Sequence, residues 1–167
     1  MPAGLKQTSS VVAIGFQVTE SAANTFTQAT TDLNLSPLDQ EVFVVLSVNL
    51  DITSPENVED TNTSRAGSLT STSQTSVQNL SNANCLAAAG KAIQGTVTGA
   101  VAFQTALETP PANLPYIGII ATNDFFVQVK GANNTAVGYM SGKVYGYRAR
   151  ADAAIYAALV QSEALSA

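Results

Sequence analysis

The chain has 167 residues, 46% hydrophobic and only 11% charged, with no His, no Trp, one Cys and a formal net charge of -5. A single domain of this size buries about two-thirds of the surface its unfolded chain exposes, so neither disulfides nor metals are needed to hold it. The missing His excludes a Ser-His-Asp or Cys-His nucleophile, a His-ligated zinc and histidine acid-base steps at neutral pH. One Cys closes no intrachain disulfide, and Cys85, in Ala83-Asn84-Cys85-Leu86-Ala87, reads as a small buried thiol.

A pI near 4.4 leaves no basic stripe for phosphates, so direct nucleic-acid contact is not expected. Residues 1–10 read as an N-terminal arm. The apolar run that follows is too short and too interrupted for a signal core or a membrane span, and no other segment reaches spanning length. Ser and Thr together make about a fifth of the chain, with much Ala, Asn and Val. Thr and Val suit pleated, half-buried surfaces, which points to a β-rich protein whose surfaces meet other proteins.

Along the chain, Val12, Ile14, Phe16 and Val18 alternate with Ala13, Gly15, Gln17 and Thr19, predicting a strand over 11–19. A weaker Thr-rich strand over 24–35 closes on the turn Ser36-Pro37-Leu38-Asp39. The strongest pattern is 41–53, where Val42, Val44, Leu46, Val48, Leu50 and Ile52 are expected on one face, over the core. An acidic loop, 54–60, leads into the polar run 61–76, read as an exposed or edge strand rather than a linker. Residues 82–93 are rich in Ala and predict a short helix capped by Asn82 or Asn84.

Strand pattern returns over 95–106, with Val97, Val101 and Phe103 aligned, before a Pro-rich connection at 109–115. Runs 116–121 and 125–130, separated by Thr122-Asn123-Asp124, have hairpin spacing. After a turn at 132–135, a long strand over 136–150 sets Tyr139, Tyr145 and Tyr147 on one face and Gly138, Gly142 and Gly146 on the other, leaving room for a backbone or a subunit to approach. Residues 152–165, with Ile155, Tyr156, Leu159 and Val160 on one side, predict a terminal helix begun by Asp152. The expected organisation is an arm (1–10), an all-β, single-domain antiparallel sandwich of about eight strands, jelly-roll-like (11–150), with one short inserted helix, and a C-terminal helix (151–167).

Asp51, Glu56, Glu59 and Asp60 supply oxygen ligands but no EF-hand spacing, and read as a solvated loop. Phosphate loops of the GxGxxG or GxxxxGK type are absent, so no catalytic, cofactor or metal site is expected. The four Asn-x-Ser/Thr patterns, at Asn34, Asn62, Asn79 and Asn133, are of the number chance produces in such a composition. Acidic residues gather between Glu20 and Asp60 and basic ones at Lys130, Lys143, Arg148 and Arg150, a segregation suited to subunits that meet acid to base. Alternatively, the two groups are solvated or pair within one subunit. The candidate subunit interface is Tyr139, Tyr145, Tyr147, Arg148 and Arg150.

From Val11 to Arg150 the architecture and composition resemble the single jelly-roll or sandwich proteins of virus particles. That resemblance implies a non-enzymatic capsid or shell subunit, self-assembling in a virion with copies of itself and other virion proteins, a homo-oligomer made in the host cytoplasm. Unlike genome-binding coat proteins, the chain carries no basic N-terminal arm. Phage head-decoration, tail or fibre proteins are alternatives of the same class. A carbohydrate-binding or adhesin module, with Tyr116, Tyr139, Tyr145 and Tyr147 as sugar platforms, is an alternative of another.

Overall fold

The computed structural model describes residues 2–98 and 114–166 in full and the backbone of 101–107. Its strands are β1 (Leu5–Gln7), β2 (Val12–Thr19), β3 (Thr27–Asp32), β4 (Glu41–Ile52), β5 (Thr63–Thr70), β6 (Cys85–Gly95), β7 (Val101–Leu107), β8 (Gly118–Ile120), β9 (Asp124–Ala132) and β10 (Tyr139–Ala151), followed by helix α1 (Ala153–Leu165). They form two antiparallel sheets. In the first, β1 and β2 lie end to end along one edge of β10, followed by β4 and β8; the second runs β3-β9-β5-β6-β7. With β1 and β7 set aside, the order is β2-β10-β4-β8 over β3-β9-β5-β6. The chain changes sheet at every connection in that set except β5 to β6, which is the wrapping of a jelly roll.

The expected arm is therefore partly sheet, since Leu5, Lys6 and Gln7 pair with Ala151, Arg150 and Ala149. The larger correction concerns β4. Its register against β10 shifts between Val45 and Ser47, leaving Leu46 as an extra residue, and the shift turns the alternation over. Phe43, Val45, Val48 and Ile52 face the core between the sheets, with Leu50 packed beside them, whereas Val42 and Val44 face outward, with Leu46 beside them. The six residues expected on one face are thus divided three and three. Both faces of one half of this strand pair are buried, because α1 lays Ile155, Tyr156, Leu159 and Val160 on the outer cluster of Val42, Val44, Tyr147, Ala149 and Ala151. Each buried Val or Phe contributes roughly 1.5–3 kcal/mol, so both clusters matter to stability.

The expected helix over 82–93 is a strand, β6. Alanine favours helix locally, but here β5 and β7 take up the backbone of 85–95 on both sides, and Ala87 and Ala89 fit the crowded interior. Asn82 caps no helix; its Oδ1 accepts from the amide of Asn84, closing an Asx turn. The only helical turn ahead of α1 among the described residues is the 3-10 turn Pro37–Asp39. Cys85 opens β6 half-buried rather than buried, its thiol donating to the carbonyl of Ala87. Val97 lies in the turn after β6, 81% exposed, so the next strand begins later than expected. The side chains of Val101 and Phe103, and the connection at 108–113, lie outside the described residues.

Residues 116–130 are no hairpin. β8 pairs with β4 in the first sheet and β9 with β3 and β5 in the second, and 121–123 cross between them. That crossing is held by the buried carboxylate of Glu163 in α1, which accepts from the amides of Ala121 (2.9 Å) and Thr122 (3.1 Å) and from the Thr122 hydroxyl (3.0 Å).

The polar run 61–76 is ordered, but β5, expected to be exposed or at an edge, lies between β9 and β6 and is largely buried, and the rest begins a loop that folds over the outer face of the second sheet. Gln128, fully buried, donates to Gln28 Oε1 (3.0 Å) and Thr70 Oγ1 (2.7 Å) and accepts from Ser68 Oγ (2.7 Å). Gln28 in turn accepts from the Gln74 amide, and Ser68 from the Gln78 amide. Hydrogen bonds do much to seat this loop, which is why its sequence looks like a linker.

On β10 the two glycines of the strand face inward. A Cβ on Gly142 would run into the Phe16 ring and the Asn49 carbonyl, and one on Gly146 into the Phe43 ring and the Val44 carbonyl. The room they leave is filled by the chain's own aromatics. Gly146→Ala is expected to lower stability by about 1–3 kcal/mol through overpacking. Gly15→Ala, whose Cβ would meet only the Gly142 carbonyl at 4.0 Å, is expected to change it by less than about 0.5 kcal/mol. Urea denaturation of the two variants checks the contrast.

Candidate interaction surface

The five residues singled out from the sequence lie on β10 but do not form one patch. Tyr139 is 45% exposed at the start of the strand, and Tyr145 is half-buried on the same outer face. Tyr147 is buried under α1. Arg148 points toward the other sheet, where its guanidinium donates to the Leu33 carbonyl (2.8 Å) and ties the β3 end to β10. Arg150 is exposed beside Lys6 and Asp152, at an open hollow of about 340 Å³ also lined by Gly4 and Gln40.

Strand pairing also changes the meaning of the charge pattern. Arg150 stands opposite Glu41, and Lys143 lies beside Asn49, one row from Asp51. Of the acidic stretch, Glu41 and Asp51 lie on β4, the antiparallel partner of the strand β10 that carries Lys143, Arg148 and Arg150, whereas Lys130 lies on β9 in the other sheet. For these residues, separation along the chain becomes adjacency in space, where attraction within one subunit competes with pairing between subunits.

Glu20 and Glu56 have structural partners that no local pattern identifies. Glu20 is buried and accepts from the amides of Gly131 (2.6 Å) and Gly138 (2.8 Å), clasping both ends of the connection between β9 and β10. Asn24 and Asn134 exchange two bonds across the same connection, Asn24 Nδ2 to the Asn134 carbonyl (2.7 Å) and the Asn134 amide to Asn24 Oδ1 (2.8 Å). Arg65, 5% exposed, reaches over it from β5, donating to the Ala136 carbonyl (2.9 Å), the Ser54 carbonyl (2.7 Å) and Thr53 Oγ1 (3.0 Å). Its Nε is packed on Gly138 without a hydrogen-bond partner, and a Cβ on Gly138 would collide with it. Glu56, from the loop read as solvated, accepts from the amide of Thr135 and from its hydroxyl (2.9 Å). Among the described residues, no three His, Cys, Asp or Glu side chains gather as a metal cage requires. No described helix is long and apolar enough to cross a membrane.

What fold and surface define together is a jelly-roll sandwich with one loop cluster clasped by buried polar side chains and a flank formed by β2 and β10. Compared with known proteins, the chain matches no family model, no curated sequence and no solved structure.

The Thr135 amide, foremost, and its hydroxyl hold the Glu56 carboxyl below the usual 4.5, with the Arg65 charge a smaller cause. A carboxylate with a lowered folded pKa contributes stability that is present above the unfolded value and lost as pH falls through the folded one. The gap in unfolding midpoint between the native protein and Glu56→Gln is therefore expected to be constant above about pH 5 and to shrink below it. Thermal melts of both proteins from neutral to acid pH check this; a gap that stays flat into acid would contradict it.

Proposed function

We propose that the chain is a non-enzymatic structural subunit of a virus particle, a capsid or shell protein that assembles with copies of itself and other virion proteins. The observation that carries this reading is the wrapping order, β2-β10-β4-β8 over β3-β9-β5-β6, an architecture used by viral shells and by lectins. Architecture alone does not carry function, and a second feature supports the reading. The chain uses its own segments to cover broad sheet faces, α1 over β4 and β10 and the 71–84 loop over the second sheet. Surfaces left for neighbours are then strand edges and loop ends, which suits sandwiches set side by side in a shell.

A phage head-decoration or tail subunit would use the same surfaces and differ in what it assembles into. The carbohydrate-binding alternative keeps Tyr139 and Tyr145, while Tyr147 lies under α1 and Tyr116 packs against the same cluster.

Light scattering coupled to size-exclusion chromatography, with negative-stain microscopy of the same fractions, is expected to find shells, rings or discrete large oligomers. A monomer at high concentration across salt and pH, without particles, would overturn the proposal. Arg150→Glu is expected to alter the salt dependence of assembly with the fold intact, whereas Arg148→Ala is expected to lower the unfolding midpoint by loss of its bond to Leu33.

A further inference from the structure

We propose that β2 is the strand by which two copies of this chain join, its free edge pairing antiparallel with the β2 edge of a second copy. The inference deepens the shell reading by naming one contact, and rests on that reading only for its setting.

The ladder shows which backbone groups are free. The Glu20 amide donates to the Gly138 carbonyl (2.9 Å), and the register then continues two by two through Val18 and Met140, Phe16 and Gly142, Ile14 and Val144. In an antiparallel pair, hydrogen-bonded positions alternate with open ones, so these even-numbered residues turn their amides and carbonyls to β10. Ala13, Gly15, Gln17 and Thr19 turn theirs away. Among the described residues β10 is the one strand paired with β2, which leaves this row of donors and acceptors as a template for another strand.

The edge also lacks the usual defences. Val12-Ala13-Ile14-Gly15-Phe16-Gln17-Val18-Thr19 has no charge and no Pro, and its register with β10 runs without a bulge. Of the other edges, β8 has three residues, β3 has six and ends on Asp32, β1 sets Lys6 beside Arg150, and β7, Val101–Leu107, is likewise free of charge and Pro, so β2 with eight residues is the longest of the edge strands. Val11 and Val12 add exposed apolar surface, 56% and 38%, at the start of the same edge.

A second copy is the occupant this edge fits, because a strand without charge meets no like charge in any register with itself. A two-fold axis at Phe16 pairs Ala13 with Thr19 of the second copy and Gly15 with Gln17 of the second copy, so all four outward residues bond. On the outer face, β10 places Tyr145 beside Ala13 and Tyr139 beside Thr19, so each such row runs from the Tyr145 of one copy to the Tyr139 of the other. The contact is isologous and closes at two copies, joining two first sheets into one.

Amide hydrogen exchange on the native protein, at low and at high concentration, tests this without a variant. Expected is protection of Ala13, Gly15, Gln17 and Thr19 only at high concentration, with Ile14, Phe16 and Val18 protected at both. Gly15→Lys, which points to the outer face with room for its Cβ, and Gln17→Pro, which removes an amide that β10 does not use, are expected to abolish the dimer by light scattering while circular dichroism stays native. Oligomers or shells in which the four amides exchange freely would overturn this contact and leave the shell reading standing. Dimers with the four amides protected, but no particle under any condition, would uphold the contact and overturn the shell reading. A monomer throughout would overturn both.

Discussion

Everything in this molecule leans on the pairing of β4 with β10, because the half of that pair beneath α1 is buried on both faces. One extra residue, Leu46, lets a single strand serve two cores. Ahead of it, Val42 and Val44 look out to α1 while Phe43 and Val45 look in; beyond it, Val48 and Ile52 look in and Asn49 and Asp51 reach solvent. Without the shift, the apolar set of the second half would point to water or that of the first half would leave the helix uncovered, since a one-residue slip moves every side chain to the other face. The inward glycines of β10 belong to the same arrangement. They make space for the rings of Phe16 and Phe43, and Phe16 stands edge-on to Phe125 of the opposite sheet at 5.7 Å between centroids.

The second principle of construction is polar. The connection between β9 and β10 is gripped by Glu20, Asn24, Glu56 and Arg65, and the outer face of the second sheet is closed by Gln28, Ser68 and Gln128 against a loop of Ser, Thr, Gln and Asn. In a chain so poor in charge, hydrogen bonds from single charged or polar side chains to backbone and amide groups do much of the work that ion pairs do elsewhere, and buried donors and acceptors without partners would be costly. These segments are consequently part of the fold, and the surfaces left for association are the strand edges. The same economy leaves β2, the longest of the edge strands, without any charge along its length.

Local pattern and tertiary context divide the remaining account. The strands β2, β4 and β10 were legible from alternation, and α1 from Ile155, Tyr156, Leu159 and Val160, because in each the period of the side chains matches one backbone geometry. The Ala run of β6 was not legible, since Ala fits helix and crowded strand alike and the neighbours β5 and β7 decide. Nor was the separation of β8 from β9, where three polar residues suit a hairpin turn and a crossing between sheets equally well. Of the candidate surface, Tyr139 and Arg150 were legible as exposed, but the sequence could not tell that Tyr147 lies beneath the helix or that Arg148 reaches Leu33.

By itself, then, the sequence determined the class: Thr and Val for strands, alternation for a sandwich, and one apolar helix at the end. Tertiary structure decided which face of each strand is inside, which polar groups are partners and which edge is free. The reason is physical. Composition and period are properties of neighbouring residues, whereas a bulge, a clasp such as Glu20 with Gly131 and Gly138, and an unpaired edge exist only once residues more than a hundred positions apart are in contact.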